Sequence, residues 1–546
     1  MSRSLLALLL LTSCQSGPAA DLVLYGRVWT GDSLRPFAGA VVIAGDSILA
    51  VGDSADVQPF VGSKTEQIRP PNGFITPGLT DGHVHLMWGG FQLANVDLRN
   101  ADSPAEFIRR IKAFAATQQP GEWILGGNWD HENWAGAPLP DRVWIDSVTP
   151  RNPVLVNRLD GHMSLANSLA LAAAKLDRST REIPGGSIVR RPDGELTGVL
   201  RDAALDPVGA VIPAPSTARL DSALTRAMEY AASLGVTAVA SVSAGWSGIA
   251  ALERARQAGR LTLRVANYLP LADWRRAAET LRVKGPGDAW IRTAGVKGFI
   301  DGSLGASTAL LFAPYRDAPA TRGLLVTSED SLRRWMSGAD SAGLQLSMHA
   351  IGDRANALLL DIFDSVSRGH GPRDRRFRAE HAQHLRAEDI PRFRAIGVIG
   401  SVQPYHLADD GRWAAKRIGP ELTRRSYASR SLLDAKARLA FGSDWPLALL
   451  DPLLGLKAAV TRQTLDGKNV EGWIPEEKIT LAEALRAYTA GNAHAMFADE
   501  RRGVLKPGYL ADLVVFDRDL LALPAAALEE AKVKMTIVGG KIVYQP

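Results

Sequence analysis

Four histidines and one aspartate stand where the sequence predicts that buried strands end. His83 and His85 close the segment Thr80-Asp-Gly-His-Val-His, and residues two apart in a strand share a face, so both imidazoles point the same way. His349 closes Leu344-Gln-Leu-Ser-Met-His, His381 closes Phe377-Arg-Ala-Glu-His, and Asp444 closes Leu439-Ala-Phe-Gly-Ser-Asp. A single histidine at a strand end is more often a structural hydrogen-bonding group than a ligand. Four of them with a carboxylate match the ligand set of zinc and related divalent ions, so the sequence predicts a metal site.

The elements that must position these residues alternate between strands and helices. We predict strands near 73–85, 235–241, 262–269, 293–300, 344–350, 377–382, 396–403 and 437–444. Amphipathic helices are predicted at 216–234, 353–367 and 481–496. Eight strands with helical crossovers favour an α/β fold closed as a (β/α)8 TIM barrel, whose active sites lie at the carboxyl ends of the strands. An open doubly wound sheet is the alternative, and the lack of a Gly-x-Gly-x-x-Gly turn argues against it.

The two ends of the chain have a different pattern, with short alternating strands and Gly or Asp turns. We therefore predict a small β-sandwich domain built from residues 21–75 and 503–546. The barrel occupies 76–502 and carries a large insertion at about 90–215, after its first strand and on the catalytic face. Ser103-Pro104 begins a helix in this insertion as N-cap and first helical residue.

Several stretches resemble the metal-dependent amidohydrolase superfamily, and its YtcJ-like branch, amidohydrolase family 3, in particular. The resemblance covers about residues 21–546 in the same order throughout. It is carried by Pro77-Gly-Leu-Thr-Asp-Gly-His-Val-His, Gly295-Val-Lys-Gly-Phe-Ile-Asp-Gly-Ser, His349-Ala-Ile-Gly-Asp, Glu380-His-Ala-Gln, Ser401-Val-Gln-Pro and Gly442-Ser-Asp-Trp-Pro. These motifs are specific for fold and metal site and say little about the substrate.

The resemblance implies a complete ligand set and a role for one lysine. The implied ligands of one or two divalent ions, expected to be Zn²⁺, are His83, His85, Lys297, His349, His381 and Asp444. In the family, the lysine that ends the fourth strand can be N6-carboxylated, and its carbamate then bridges two metals. An unmodified lysine offers only donors and cannot ligate. The alternative is that Lys297 pairs with Asp301 and that a single metal uses the remaining ligands.

The expected reaction is hydrolysis of a carbon–nitrogen bond outside peptides, in an amide or N-acyl amine. A bound metal lowers the pKa of its water from 15.7 to about 7, and Asp444 would act as general acid and base. A second oxyanion stabiliser is needed, and His349, His381 or a group from the insertion are candidates. An esterase or lactonase on the same site, and a catalytically inactive binding protein of the cell envelope, are the alternatives.

Other polar residues are weaker candidates. His162, Trp129 and His406 are predicted to contact the substrate, and Asp130 and His131 could line the same pocket. His384 is interpreted as a neighbour of the ligands or a surface residue, and Asp301 as a partner of a ligand. His370 and His494 are interpreted as bystanders.

Composition limits the partners. The chain has 546 residues and a formal net charge of +5, with Lys and Arg interleaved among Asp and Glu, so no nucleic-acid footprint is present. A small-molecule substrate is expected, and a homo-oligomer is left open.

The N-terminus predicts export and lipid anchoring. The one cysteine, Cys14, follows a basic residue and the apolar run 5–11, which is too short for the ~20 residues of a membrane span. Leu11-Thr12-Ser13-Cys14 resembles a bacterial lipobox, so residues 1–13 are predicted to be a lipoprotein signal peptide and 14–20 a tether. A cytoplasmic protein with an irregular apolar start is the alternative. In lipoproteins an Asp after the cysteine is avoided by proteins of the outer membrane, so the resemblance, with Ser16 after Cys14 rather than Asp, implies the outer membrane.

We expect Cys14→Ser to move the protein from the membrane fraction to the soluble fraction, because a lipid chain at Cys14 would be the anchor. Fractionation of cells that express the two forms measures this. An unchanged membrane fraction for Cys14→Ser would remove the anchor.

Overall fold

The computed structural model describes residues 20–546, so the predicted signal peptide, the predicted tether up to Ala19 and the predicted lipidation site Cys14 lie outside the described residues. Three sheets organise the described chain: a parallel barrel, an inserted sheet and a sheet built from both ends. In residues 20–546, no helix combines the length and the apolar character that a bilayer crossing requires.

The strands follow in chain order. They are β1 Leu22–Trp29, β2 Phe37–Ala44, β3 Ser47–Gly52, β4 Glu66–Ile68, β5 Phe74–Pro77, β6 Leu79–Val84, β7 Val96–Asp97, β8 Gly126–Trp129, β9 Leu155–Arg158, β10 Met163–Ala166, β11 Gly186–Arg190, β12 Leu196–Asp202, β13 Val236–Ser241, β14 Arg264–Pro270, β15 Ile291–Phe299, β16 Gln345–Ala350, β17 Arg378–His381, β18 Ile399–Val402, β19 Arg438–Phe441, β20 Leu513–Phe516, β21 Val533–Val538 and β22 Lys541–Tyr544.

The α-helices lie between strands of all three sheets. They are α1 Ser54–Val57, α2 Leu86–Gln92, α3 Pro104–Ala115, α4 Val143–Asp146, α5 Ser168–Ala173, α6 Asp206–Val211, α7 Thr217–Ser233, α8 Trp246–Gln257, α9 Trp274–Lys284, α10 Glu329–Ser341, α11 Asp353–His370, α12 Ile390–Ile396, α13 Pro404–Asp410, α14 Ala414–Arg417, α15 Pro420–Thr423, α16 Ser429–Asp434, α17 Pro452–Thr461, α18 Leu481–Arg486 and α19 Asn492–Ala495.

The predicted TIM barrel is confirmed. Its parallel strands have the order β6-β13-β14-β15-β16-β17-β18-β19, and the ring closes where β6 meets the segment after β19. There the backbone N–H of Asp444 donates to the His83 carbonyl, and that of His85 donates to the Trp445 carbonyl, each at 2.7 Å. Glycine is required at this seam, because a Cβ on Gly442 would lie 2.5 Å from the His83 nitrogen.

Two predicted elements differ from the structure. The strand expected at 73–85 is divided at Pro77-Gly78: β5 belongs to the terminal sheet and β6 to the barrel. The reason is steric as well as conformational, since a Cβ on Gly78 would lie 2.3 Å from the Thr237 hydroxyl. The helix expected at 481–496 is interrupted by a π-helical turn at Ala487–Gly491 between α18 and α19.

The inserted segment folds on its own sheet, with strand order β11-β12-β10-β9-β8-β7. Helix α3 begins as predicted, with the Ser103 hydroxyl accepting from the Glu106 N–H. The chain ends form one continuous sheet, β22-β21-β20-β5-β1-β2-β3, with β4 beside β1, rather than two separate sheets of a sandwich. Strand β3 also meets the segment before β20 at an isolated bridge between Ser47 and Leu510.

A buried ion pair joins the terminal sheet to the barrel. Arg264 at the start of β14 donates to Asp512 through Nε at 2.7 Å and Nη2 at 2.9 Å, and both side chains are almost fully buried. Asp512 also accepts from the Gly539 N–H at 2.9 Å, and the Arg264 guanidinium lies 4.3 Å from the centre of the Trp290 ring. The pair therefore satisfies both charges where water is excluded.

We expect Arg264→Met to destabilise the fold by about 3–5 kcal/mol, because it leaves the Asp512 carboxylate buried without its main partner. The measurement is the urea midpoint of unfolding. Arg282→Met is the control, since Arg282 forms an exposed pair with Glu279 and should leave the midpoint in place. Equal midpoints for the two variants would contradict a structural role for the buried pair.

Candidate metal centre

The strand-end histidines and the aspartate converge at one mouth of the barrel. The Asp444 Oδ1 lies 3.3 Å from His83 Nε2 and 3.2 Å from His85 Nε2, and the Asp444 Oδ2 lies 4.0 Å from His381 Nδ1. Two triads have ligand atoms within 4.8 Å of one another: His83, His85 and Asp444, and His381, His406 and Asp444. Asp444 is common to both, so it lies at the centre of the cluster.

The donor set fits a divalent cation. Within residues 20–546, the buried Asp444 Oδ1 and His381 Nδ1 have no hydrogen-bond partner. An unpaired buried polar atom is costly, and a cation shared by these atoms would satisfy them. The backbone is strained at the same place, with φ of 72° at His381 and 63° at Asp444. Burial alone would raise the pKa of Asp444, but the adjacent imidazoles outweigh burial and hold this pKa well below its ordinary value.

Lys297 lies inside the cluster, on β15. Its Nζ is 3.3 Å from His83 Nε2, and the side chain is buried. Burial lowers the pKa of Lys297 to about 8. Asp301 accepts instead from the backbone N–H groups of Leu310, Ile351 and Gly352 at 2.8–3.0 Å, so the alternative pairing of Lys297 with Asp301 is not formed.

Glu380 orients the first histidine, a role that the sequence reasoning missed. Its Oε2 lies 2.5 Å from His83 Nδ1, while its Oε1 accepts from the Ser347 hydroxyl at 2.6 Å and from Arg378 Nε at 2.7 Å. A carboxylate on the far nitrogen of a ligand imidazole fixes the ring and its tautomer. The available signal was the pair of opposite charges, Arg378 and Glu380, on one face of the short buried strand β17.

His349 lies beside the cluster, with its ring centre 4.5 Å from that of His381. Its Nε2 is 3.0 Å from the Gly302 carbonyl and donates to it, so only the lone pair on Nδ1 remains for chemistry. This hydrogen bond favours a ligand over an oxyanion donor.

Of the residues predicted to contact the substrate, two line the cavity at the barrel mouth and one does not. His162 lies there with its Nδ1 2.6 Å from Asp202 Oδ1 and its ring 4.9 Å from that of His349. Burial disfavours its charge, but the negative charge of Asp202 outweighs burial and raises the pKa of His162. His406 lines the cavity as well and also belongs to a triad.

Trp129 does not contact the cavity, and its prediction as a substrate contact is wrong. It is fully buried in the core of the insertion, packs against Phe107 and Trp134, and donates from Nε1 to the Val156 carbonyl at 2.9 Å. An apolar ring of this size gains more from the core than from a polar pocket.

The remaining polar candidates have structural partners. Asp130 pairs with Arg158 at 2.7 Å, and His131 Nδ1 accepts from the same guanidinium at 3.3 Å. The other three histidines pair locally: His384 with Ser426, His370 with Asp340 and His494 with Asp499, at 2.7, 2.7 and 2.8 Å.

The cavity over the cluster is small, with an empty volume of about 600 Å³ including its mouth, and both charged and apolar side chains line it. The barrel contributes His349, His381, His406 and Asp444, and the insertion contributes Arg99, Arg158, Asp160 and His162. This volume suits a small molecule rather than a polymer.

A (β/α)8 barrel that gathers histidines, a lysine and an aspartate at its carboxyl mouth is the architecture of a metal-dependent hydrolase. Residues 71–544 match the model of the amidohydrolase family, and the chain belongs to that family. It is therefore an enzyme, a hydrolase of the class that acts on carbon–nitrogen bonds, and the predicted family is confirmed.

Similar proteins extend over nearly the whole chain. Protein LONG AFTER FAR-RED 3 of Arabidopsis thaliana is 40% identical over 97% of this chain and 92% of its own length. The putative amidohydrolase YtcJ of Bacillus subtilis is 30% identical over 93% and 96%, and the N-substituted formamide deformylase of Arthrobacter pascens is 26% identical over 96% and 98%. The crystal structure of an uncharacterized metal-dependent hydrolase from Pyrococcus horikoshii is 29% identical, with a TM-score of 0.74 over 92% of this chain and 99% of that one.

We expect Glu380→Gln to weaken metal binding about 10- to 100-fold, because Gln cannot supply the negative charge that orients His83. Competition with a chelator measures the dissociation constant. Glu477→Gln is the matched control: Glu477 is also buried, and its carboxylate accepts from Ser431 outside the cavity. A metal affinity that is unchanged in Glu380→Gln would contradict the orienting role.

Proposed function

We propose that this enzyme hydrolyses the carbon–nitrogen bond of a small amide or N-acyl amine, with Asp444 as general acid and base. The observation that carries the proposal is the position of the Asp444 carboxylate, shared between two histidine triads and with one oxygen unpaired among the described residues. Similarity to an N-substituted formamide deformylase supports an N-acyl amine, with formamides as the first candidates.

The residues that would hold the metal are His83, His85, His349, His381 and Asp444, with His406 as an addition from the geometry. We propose Zn²⁺, because imidazole and carboxylate donors in a closed site suit it. When bound, such an ion polarises the substrate carbonyl and makes a water acidic enough to lose a proton near neutral pH.

Lys297 is proposed to carry a carbamate. Its Nζ lies 3.3 Å from His83 Nε2, where an ammonium would repel a cation, and Lys alone has no acceptor to offer. Carboxylation would convert the amine into a ligand with two oxygens, and a second ion then becomes possible. Elemental analysis of the purified protein together with its intact mass measures the ions and the modification.

Asp444 would move the proton. Water adds its oxygen to the carbonyl carbon while Asp444 accepts a proton, and the same proton then passes to the leaving nitrogen as the carbon–nitrogen bond breaks. The products are a carboxylic acid and an amine, so atoms and charge balance. Glu380 keeps His83 in place through these steps, and His162 is proposed to contact the substrate from the insertion side of the cavity.

We expect Asp444→Asn to lower kcat for an N-substituted formamide by about 10²- to 10⁴-fold, since the amide cannot accept the proton. The rate at which the zinc-loaded protein releases formate from this substrate measures kcat. Asp499→Asn is the control, because Asp499 pairs with His494 and Arg376 outside the cavity. Unchanged turnover in Asp444→Asn, with zinc retained, would remove Asp444 as the base. If the unmodified enzyme hydrolyses matched esters faster than the formamides, it is an esterase.

A further inference from the structure

Arg99 reaches the cavity from the insertion. It follows strand β7, and its Nη2 donates to the carbonyls of Pro446 and Leu447 at 2.7 Å each. Both carbonyls belong to the segment that directly follows Asp444, and Arg99 and Leu447 line the cavity. The guanidinium is thereby fixed next to the proposed catalytic carboxylate although it comes from a different part of the chain.

The other charged groups of the cavity wall have partners within the protein. Arg158 donates to Asp160 and to Asp130, each at 2.7 Å, and Asp409 pairs with Arg412. Arg158, Asp160 and Asp409 therefore each have a partner of opposite charge.

Asp410 has neutral hydrogen-bond donors as partners rather than an opposite charge. Its Oδ2 accepts from the Tyr427 hydroxyl and from the Gln383 amide, both at 2.6 Å. Burial, followed by the neighbouring charge of Asp409, raises the pKa of Asp410 to about 7. Its carboxyl group is therefore about half protonated near pH 7, and among the described residues it forms no ion pair with Arg99.

Arg99 is the exception. Within residues 20–546, its guanidinium forms no ion pair within 4 Å, its side-chain hydrogen bonds are the two from Nη2, and Asp97 and Asp409 act on it only from a longer distance. An arginine stays protonated in proteins, and a partly buried charge without a counter-charge is unfavourable. A carboxylate bound in the cavity would supply both the charge and the missing acceptors.

We propose that Arg99 binds a carboxylate group of the substrate, so that the enzyme selects small amides that carry an anionic substituent. The inference rests on the proposed function above. The Leu447 N–H donates to the Asp444 carbonyl at 2.8 Å, and three residues span at most about 10 Å. The carboxylate therefore lies only a few bonds from the scissile amide, on the amine side or on the acyl side.

Two matched sets of ligands test whether the enzyme prefers a carboxylate and on which side of the amide this carboxylate lies. For the amine side the ligands are N-formylglycine, the neutral N-formylglycinamide and the cationic N-(2-aminoethyl)formamide. For the acyl side they are succinamate and the neutral succinamide. Calorimetric titration into zinc-loaded Asp444→Asn, with Arg99 intact or changed to Gln, measures affinity without turnover. Hydrolysis by the enzyme with Asp444 intact is measured in parallel on the same compounds.

We expect one carboxylate ligand to bind about 10- to 100-fold more tightly than its neutral match, and Arg99→Gln to remove the difference. With Asp444 intact, Arg99→Gln should raise KM for the carboxylate substrate, leave kcat little changed and spare the neutral amide. Arg99→Lys should retain part of the preference, since it retains the charge. Arg109→Gln is the control: this exposed arginine pairs with Glu106 outside the cavity and should leave the preference intact.

Three results would overturn the inference: equal affinities for carboxylate and neutral ligands, a preference that survives Arg99→Gln, or tighter binding of the aminoethyl compound. The last would mean that Asp409 and Asp410 select a cation. The two proposals fail separately. Hydrolysis of neutral formamides without a carboxylate preference removes only the role of Arg99, and a carboxylate preference without hydrolysis removes only the proposed reaction.

Discussion

The site depends on the closure of the barrel between its first and last strands. Asp444 comes more than 350 residues after His83, and the two meet because backbone hydrogen bonds join β6 to the segment after β19. Asp81 reinforces this seam, since its carboxylate accepts from the N–H groups of both His83 and Ser443 at 3.0 Å. The same interaction that completes the fold therefore brings the proposed base to the first two ligands.

Closure also concentrates charge where water is excluded. Lys297, Glu380, Arg378 and Asp444 are all nearly or fully buried, and such groups are tolerated only when each has a partner of opposite charge or a metal. Glu380 and Arg378 satisfy each other and hold His83, whereas Asp444 retains an unpaired oxygen. The charged residues that support the ligands are thus paired with each other, whereas the Asp444 carboxylate at the cavity keeps an oxygen without a partner among the described residues.

What could be predicted from the sequence is what local pattern and barrel geometry determine together. His83, His349 and Asp444 were found because each ends an apolar run, and parallel strands of a barrel place all such ends at one mouth. Pro77 and Gly78 interrupt the predicted first strand, and the structure divides the strand at these two residues. Trp129 was misassigned because its polar neighbours indicate a turn, while its burial depends on residues that are distant in the chain.

Arg99 had no local signal at all. Its partners are carbonyls 347 and 348 residues further along the chain. Its proposed role rests on the lack of a carboxylate within 4 Å among the described residues, which only the three-dimensional arrangement reveals. The division of labour follows from this. The barrel supplies the proposed metal ligands and the proposed base, which are fixed by strand ends. The insertion supplies Arg99 and His162, which take no part in the backbone hydrogen bonds that close the barrel. If both proposals hold, the reaction and the selectivity of this enzyme depend on different parts of the fold, so a change in the insertion can alter one without the other.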